Sequence, residues 1–113
     1  MESRASGSCV VQFTSEAEED FARLDGSQRK EVAVQLRKIE RSPQLGAPLG
    51  NRAGLDLSGY RKLYACRKSI RIVYRFPMPE NDPEADIPVA LIVAIGPRGN
   101  LEAYRLAADR HNR

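Results

Sequence analysis

The segment from Gly59 to Phe76 has the most regular alternation of polar and apolar residues in the chain. The period is two residues, with one interruption at residues 67–69, which is typical of two β-strands joined by a short turn. One face of this predicted hairpin is mostly aliphatic, so we expect a packed sheet with a basic front. The front-face positions are Tyr60, Lys62 and Tyr64 in the first strand and Arg71, Val73 and Arg75 in the second.

Upstream of the hairpin, the apolar residues change to helical spacing after a short predicted strand at residues 9–13. A first helix is predicted to run to about Leu24, and Ser15 and Glu18 have the spacing of a capping box at its start. A second helix is predicted over residues 28–41, where aliphatic side chains form a stripe. Because only a short turn separates them, the two helices should form an antiparallel pair that lies across one face of the sheet.

Proline and glycine mark the remaining boundaries. Residues 42–54 contain two prolines and three glycines and are predicted to be a loop. Residues 77–88 are rich in proline and in acidic side chains, which predicts an exposed connection. Residues 89–95 are continuously apolar and predict a central strand covered on both faces, and residues 101–110 have the spacing of a last helix.

These elements follow one another in the order β-α-α-β-β-β-α. The order predicts an α+β fold in which two N-terminal helices pack on a mostly antiparallel four-stranded sheet. A length of 113 residues fits a single domain over residues 1–113, with loose tails at residues 1–8 and 111–113.

Charge is distributed unevenly along the chain. The net charge is only +3, but residues 59–76 hold six basic residues and no acidic one, which favours an anionic partner for the hairpin. One histidine and two cysteines, without metal-ligand spacing, predict neither a metal site nor a cofactor. The absence of a signal peptide and of a long apolar span predicts a cytoplasmic protein with reduced cysteines and no membrane partner.

Four segments together resemble the RelE/ParE superfamily of toxins from type II toxin–antitoxin systems. They are the first strand with FTSEAEEDFARL, the hairpin GYRKLYACRKSIRIVYRF, the apolar strand VALIVAI and the C-terminal GPRGNLEAYRLAADR. The resemblance implies a RelE-like fold, and its RelE branch cleaves messenger RNA in the ribosomal A site. It also implies a cognate antitoxin, which we expect to be a small, acidic and partly disordered protein.

The resemblance also implies a set of functional residues on the hairpin, after the last strand and six residues beyond it. The matched positions, and thus the expected catalytic residues, are Lys62, Arg71, Arg98 and Tyr104. The chain departs from the RelE pattern at Tyr64, where that type has a second lysine. Tyrosine rings can stack on bases and cations can contact the RNA backbone. The expected RNA-binding residues are Tyr60, Tyr64, Arg67, Lys68 and Arg75.

RNA cleavage without a metal needs a base for the ribose 2′-OH, an acid for the leaving 5′-oxygen and cations for the developing charge. Arginine suits the last task because its planar fork binds phosphate bidentately. The base is expected to be Tyr104 or Lys62, while His111, the only histidine, lies near the C-terminus.

Alternatives remain open at this level. Tyr104 also fits the apolar stripe of the last helix, and Lys62 and Arg71 also fit a solvated cross-strand pair that contributes little to folding. A ParE-like inhibitor of DNA gyrase without catalysis is the second functional hypothesis. A basic RNA-binding module is the third, because one fold can carry several functions.

Overall fold

The computed structural model describes residues 9–52, 55–76, 88–97 and 102–111, so the expected N-terminal tail and most of the acidic connection lie outside the described residues. The described elements are strands β1 (Val10–Phe13), β2 (Ala47–Arg52), β3 (Leu55–Ala65), β4 (Ile70–Arg75) and β5 (Val89–Pro97), helices α1 (Ser15–Ala22), α2 (Gly26–Arg41) and α3 (Glu102–His111), and a 3₁₀ turn at Pro43–Leu45. The predicted α+β class is confirmed. Helix α3 reaches His111, one residue into the tail that the sequence predicted to be loose.

The sheet has five strands in the order β1-β5-β4-β3-β2. Strand β1 runs parallel to β5, and every other neighbouring pair is antiparallel. The predicted hairpin is β3 with β4, and the apolar strand β5 lies between β4 and β1. These elements therefore match the sequence prediction, and the mostly antiparallel sheet is confirmed.

The prediction of four strands was one too few, because the supposed loop at residues 42–54 contains β2. This strand pairs with β3 along an edge of the sheet and has a register shift between Pro48 and Gly50. An edge position and an irregular register are the places where a strand tolerates proline and glycine. The pairing with β3 thus overrides the local loop signal, and β3 itself begins earlier than expected, at Leu55.

Both N-terminal helices begin at a side-chain cap. The Thr14 hydroxyl accepts a hydrogen bond from the Ala17 amide (3.0 Å), so Thr14 caps α1, and the prediction that Ser15 takes part in a capping box was wrong. Asp25 caps α2 in a capping box with Gln28, which starts this helix two residues earlier than predicted.

The helices cover opposite faces of the sheet. Helices α1 and α2 pack on the back, where the buried side chains of β4 are Ile70, Ile72 and Tyr74. Helix α3 packs on the front through Ala103, Tyr104 and two further alanines, against a second cluster that includes Tyr60 and Val73. The predicted placement of two helices on one face is confirmed. No helix in the described part of the chain is long and apolar enough to cross a bilayer.

A buried ion pair connects the two helical layers beyond the end of β1. Strand β1 pairs with β5 only as far as Ile92, which leaves the next part of this edge of β5 without a strand. There the Asp20 carboxylate of α1 accepts from the Ile95 amide (3.0 Å), and the Arg110 guanidinium of α3 donates to the Val93 carbonyl (2.6 Å). Arg110 also donates to Asp20 at 2.9 Å. This ion pair therefore satisfies backbone groups at the open edge of β5 and holds α3 near α1.

The segment before β2 is held against the back of the sheet through Gly46. Its amide donates to the Tyr74 hydroxyl (2.8 Å), which in turn donates to the Pro43 carbonyl (2.7 Å). Arg61, one of the basic residues of the hairpin, donates to the Gly46 carbonyl at 2.9 Å. Its guanidinium therefore takes part in a structural contact.

We expect Gly46→Ala to lower the free energy of unfolding by about 1–3 kcal/mol, because the added methyl group overpacks this contact. A Cβ at Gly46 would lie 2.7 Å from the Lys62 carbonyl oxygen and from the Tyr74 hydroxyl oxygen. Urea denaturation measures the change. Gly26→Ala is the matched control, since a Cβ at Gly26 meets nothing within 4 Å and alanine favours a helix. Equal stabilities of the two variants would contradict this account.

Candidate active site

The pairing of β3 with β4 places the front-face residues beside one another. Tyr64 is opposite Arg71, Lys62 is opposite Val73, and Tyr60 is opposite Arg75. Residues that pair directly across two antiparallel strands point to the same face of the sheet. The predicted front face is therefore confirmed as an arrangement of side chains.

Tyr64 lies at the centre of this group. Its hydroxyl oxygen accepts from the Lys62 ammonium (Nζ, 3.1 Å) and from the Arg71 guanidinium (Nη2, 3.4 Å). Both cations also lie near the ring, with Lys62 Nζ 5.0 Å and the Arg71 guanidinium carbon 5.5 Å from its centroid. The hydrogen bond from Lys62, followed by that from Arg71, lowers the pKa of Tyr64 to about 7, because donated bonds from cations stabilise the phenolate.

Arg71 is the buried cation of the site. It is only 5 % exposed, which excludes the alternative of a solvated cross-strand pair. Its guanidinium carbon lies 3.8 Å from the ring centroid of Tyr104, a close cation–π stack. Within the described residues, Nε and Nη1 of Arg71 are buried without a hydrogen-bond partner. Unpartnered buried donors are costly, and an anion that accepts from them would relieve that cost.

Tyr104 is a core residue that also contacts a cation of the site, and its catalytic role stays a prediction. It is 2 % exposed and belongs to the front core with Ala103 and Ala107 of α3. One face of its ring nevertheless carries the Arg71 guanidinium. Helix α3 therefore fixes the plane of Arg71, and the position of α3 depends on the Asp20–Arg110 pair at its other end.

Tyr60 and Arg75 form a second stacked pair further along the front. The Arg75 guanidinium carbon lies 5.6 Å from the Tyr60 ring centroid, and Tyr60 is 4 % exposed. A ring this buried is not open to stack on a base in this structure. An open cavity of roughly 210 Å³ beside the pair is also lined by Ala107 and Arg110. The RNA-binding role of Tyr60 and Arg75 stays a prediction.

The turn between β3 and β4 carries two further cations next to the site. Arg67 and Lys68 are exposed, and together with Cys66 they have positive φ angles of 54°, 71° and 53° respectively. The turn follows the Tyr64–Arg71 pair by one strand position. Both cations are thus placed to meet a chain that extends from the site, and their RNA-binding role stays a prediction.

Arg98 lies outside the described residues, so its place in the site stays a prediction. The described end of β5 is beside the site, since Gly96 pairs with Arg71 in β4. The last strand therefore pairs with the second strand of the hairpin. Among the described residues, no group of three or more His, Cys, Asp or Glu side chains is arranged to hold a metal ion.

The sequence analysis missed the two residues that fix α3, Asp20 and Arg110. A signal for Asp20 was present: it lies on the same side of α1 as Ala17, and both are buried. An acidic residue among the apolar positions of a short helix indicates a buried partner. The identity of that partner, 90 residues away in sequence, follows only from the packing of α3.

No protein-family model matches the chain, and no curated protein sequence matches it. Solved structures do match. Toxin RelE of E. coli, in a mutant form and in the free state, is 20 % identical with a TM-score of 0.68, and the alignment covers 91 % of this chain and 97 % of that one. A RelBE-type toxin–antitoxin complex of Mycobacterium tuberculosis gives 24 % identity and a TM-score of 0.59, with coverages of 87 % and 100 %.

An archaeal RelE–RelB complex from Pyrococcus horikoshii is 13 % identical with a TM-score of 0.54, and the alignment covers 82 % of this chain and 98 % of that one. The matches extend over nearly the whole length of each solved chain. The chain therefore has the RelE-like fold that the sequence resemblance implied.

Proposed function

We propose that this protein is the toxin of a type II toxin–antitoxin system and that it cleaves messenger RNA on translating ribosomes. The fold is similar to that of RelE toxins, and several of the similar structures are complexes with antitoxins. The observation that carries the proposal is the Lys62–Tyr64–Arg71 group, in which two cations converge on one phenolic oxygen and one of them, Arg71, is stacked on Tyr104.

The geometry suits cleavage by attack of the ribose 2′-OH on the adjacent phosphate. Arg71 stabilises the charge that develops on the phosphate, which is usually the largest single contribution to catalysis. Lys62 adds a second cation 3.1 Å from the Tyr64 oxygen. Tyr104 orients the guanidinium of Arg71 by stacking, and Arg98 supplies a further cation in the role that the family resemblance implies.

The cations around this group would contact the RNA on either side of the cleaved bond. Arg67 and Lys68 lie exposed in the turn beyond Tyr64, and Arg75 lies four residues along β4 from Arg71. Spaced cations along a groove follow the phosphates of a single strand without reading its sequence. The action belongs in the cytoplasm, where translating ribosomes are found.

A cognate antitoxin is the second part of the proposal. Such a partner would be small, acidic and partly disordered, and it would fold onto the basic front of the hairpin. The structural neighbours that were solved as toxin–antitoxin complexes support this expectation. Co-expression with small neighbouring reading frames tests it, and full toxicity in the presence of every such frame would contradict it.

Induction of the protein in growing cells is expected to cut messenger RNAs inside their translated regions and to arrest growth. The fragments should carry 2′,3′-cyclic phosphate and 5′-OH ends, because the 2′-oxygen is the nucleophile. Mapping of RNA 5′ ends, with and without translation blocked at initiation, measures the effect. Growth arrest with intact messenger RNA and accumulated gyrase-linked DNA breaks would overturn the proposal in favour of a ParE-like activity.

A further inference from the structure

We propose that Tyr64, as the phenolate, is the general base that takes the proton from the ribose 2′-OH. The inference rests on the proposed function and deepens it, because it assigns the proton transfer to a residue for which the sequence predicted only base stacking. It also gives a role to the tyrosine that stands where the RelE type has a lysine.

The hydrogen bonds around the Tyr64 oxygen favour this assignment. Lysine ammonium and arginine guanidinium are donors only, so the oxygen accepts from both Lys62 and Arg71. Acceptance from two cations stabilises negative charge on the oxygen. The same two cations are placed to attract the phosphate, so the base and the phosphate-binding groups meet at one point on the front of the sheet.

The two bases that the sequence suggested fit less well. Lys62 donates to Tyr64 as the ammonium, and in that form it has no lone pair to accept a proton. Tyr104 is 2 % exposed and its ring is stacked on Arg71 in the front core, so it offers a ribose less access than Tyr64 does. Tyr64 is only partly buried and lies at the junction of the two cations.

The lowered pKa of Tyr64 supports its assignment as the general base. Its pKa is lowered to about 7, chiefly by the hydrogen bond from Lys62 and then by that from Arg71. A general base is most effective when its pKa lies near the working pH, because it is then both ionised and basic enough. An ordinary tyrosine, with a pKa of about 10, is almost fully protonated at neutral pH.

The cleavage reaction involves only the RNA, Tyr64 and water. The phenolate takes the proton of the 2′-OH, the 2′-oxygen bonds to the adjacent phosphorus, and the bond from phosphorus to the 5′-oxygen breaks. The leaving 5′-oxygen takes a proton from water, which yields a 2′,3′-cyclic phosphate and a 5′-OH. The phenol of Tyr64 then loses its proton to the hydroxide that remains.

Ultraviolet titration of the purified protein tests the ionisation of Tyr64 independently of any activity. The chain has four tyrosines and no tryptophan, so tyrosinate absorbance is not obscured. We expect one tyrosine to titrate near neutral pH in the wild type and none to do so in Tyr64→Phe. Burial raises the pKa of Tyr74, which keeps that residue out of this range.

Lys62→Met provides a second variant for the same titration. It removes the hydrogen bond that contributes most, so the neutral midpoint should move toward the ordinary value of tyrosine. A neutral titration that persists in Tyr64→Phe would overturn the inference. So would a wild type in which all four tyrosines titrate at or above the ordinary value.

The pH dependence of cleavage on purified translating ribosomes tests the catalytic role. The wild-type rate should rise by about tenfold per pH unit up to about pH 7 and then level, as expected for a base that must be deprotonated. Tyr64→Phe should lower the rate by about 10²- to 10⁴-fold and remove most of this rise. Replacement of Tyr64 by a fluorotyrosine, whose phenol is more acidic, should move the midpoint to lower pH.

The outcomes separate this inference from the proposed function. A wild type that cleaves, together with a Tyr64→Phe variant that keeps its rate and pH profile, would overturn only the role of Tyr64. A folded wild type that leaves ribosome-bound messenger RNA intact would overturn the proposed function, and the catalytic role of Tyr64 with it. Circular dichroism of Tyr64→Phe verifies that any loss is not a loss of fold.

Discussion

Arg71→Met is expected to lower messenger RNA cleavage by about 10²- to 10³-fold, the usual cost of losing one preorganised donor to the transition state. The same substitution should leave the free energy of unfolding at or above the wild-type value. Arg71 is 5 % exposed, and two of its nitrogens are buried without a hydrogen-bond partner in the described structure. Methionine is also unbranched and flexible, although shorter, and it carries no charge that has to be desolvated.

Two opposing contributions decide the stability of Arg71→Met. Loss of the stack on Tyr104, at 3.8 Å, removes a desolvated cation–π interaction of about 2 kcal/mol. Relief of the desolvation of this charge, two of whose nitrogens have no hydrogen-bond partner among the described residues, acts in the opposite direction, since replacing buried ionic groups by apolar ones is often neutral or stabilising by about 1–4 kcal/mol. The two contributions are of similar size, so stability should stay near the wild-type value or rise while activity falls.

Cleavage assays on ribosomes and urea denaturation measure the two quantities. Arg71→Lys keeps the charge but loses the planar fork, so its activity should stay well below that of the wild type. Arg37→Ala, which removes an exposed cation from α2 on the other side of the sheet, is the control and should change neither quantity appreciably. A large loss of stability in Arg71→Met would mean that Arg71 is chiefly a structural residue.

Asp20→Ala is expected to lower the free energy of unfolding by about 3–5 kcal/mol, the usual cost of removing one partner from a buried ion pair. The Asp20 side chain is 2 % exposed, and the Arg110 side chain is 12 % exposed. Removal of the carboxylate leaves the Arg110 guanidinium without its closest ion-pair partner and takes the acceptor from the Ile95 amide. The ion pair also raises the pKa of Arg110, chiefly through the hydrogen bond to Asp20.

Glu19→Ala is a matched control for Asp20→Ala, because Glu19 is the adjacent residue on α1. Its pair with Arg23 has a separation of 3.9 Å, and both side chains are about 70 % exposed (72 % and 70 %). Exposed pairs of this kind contribute about 0.2–0.5 kcal/mol. Denaturation of both variants at neutral pH gives the comparison. Equal stabilities would mean that the Asp20–Arg110 pair contributes no more than a surface pair.

A consequence for activity distinguishes Asp20 from an ordinary core residue. Helix α3 carries both Arg110 and Tyr104, and Tyr104 stacks on the catalytic candidate Arg71. Loosening of α3 should therefore lower cleavage even at temperatures at which Asp20→Ala remains folded. Glu19→Ala should retain wild-type cleavage under the same conditions.

The sequence by itself determined the hairpin, its two faces, the two N-terminal helices and the central position of β5. Each of these follows from a local period: two residues for β3 and β4, helical spacing for α1 and α2, and a continuous apolar run for β5. Periodicity indicates which side chains share a face. For this reason Lys62, Tyr64 and Arg71 can be grouped from the sequence alone.

Only the tertiary structure decided the features that depend on contacts between distant segments. The edge strand β2 exists because β3 offers it a partner, in spite of its proline and its glycine. Arg71 is buried because α3 closes over it, and Asp20 meets Arg110 because β1 stops short of the end of β5. The acidity of Tyr64 arises in the same way, since it depends on distances of 3.1 and 3.4 Å between charged groups and one oxygen, which periodicity does not specify.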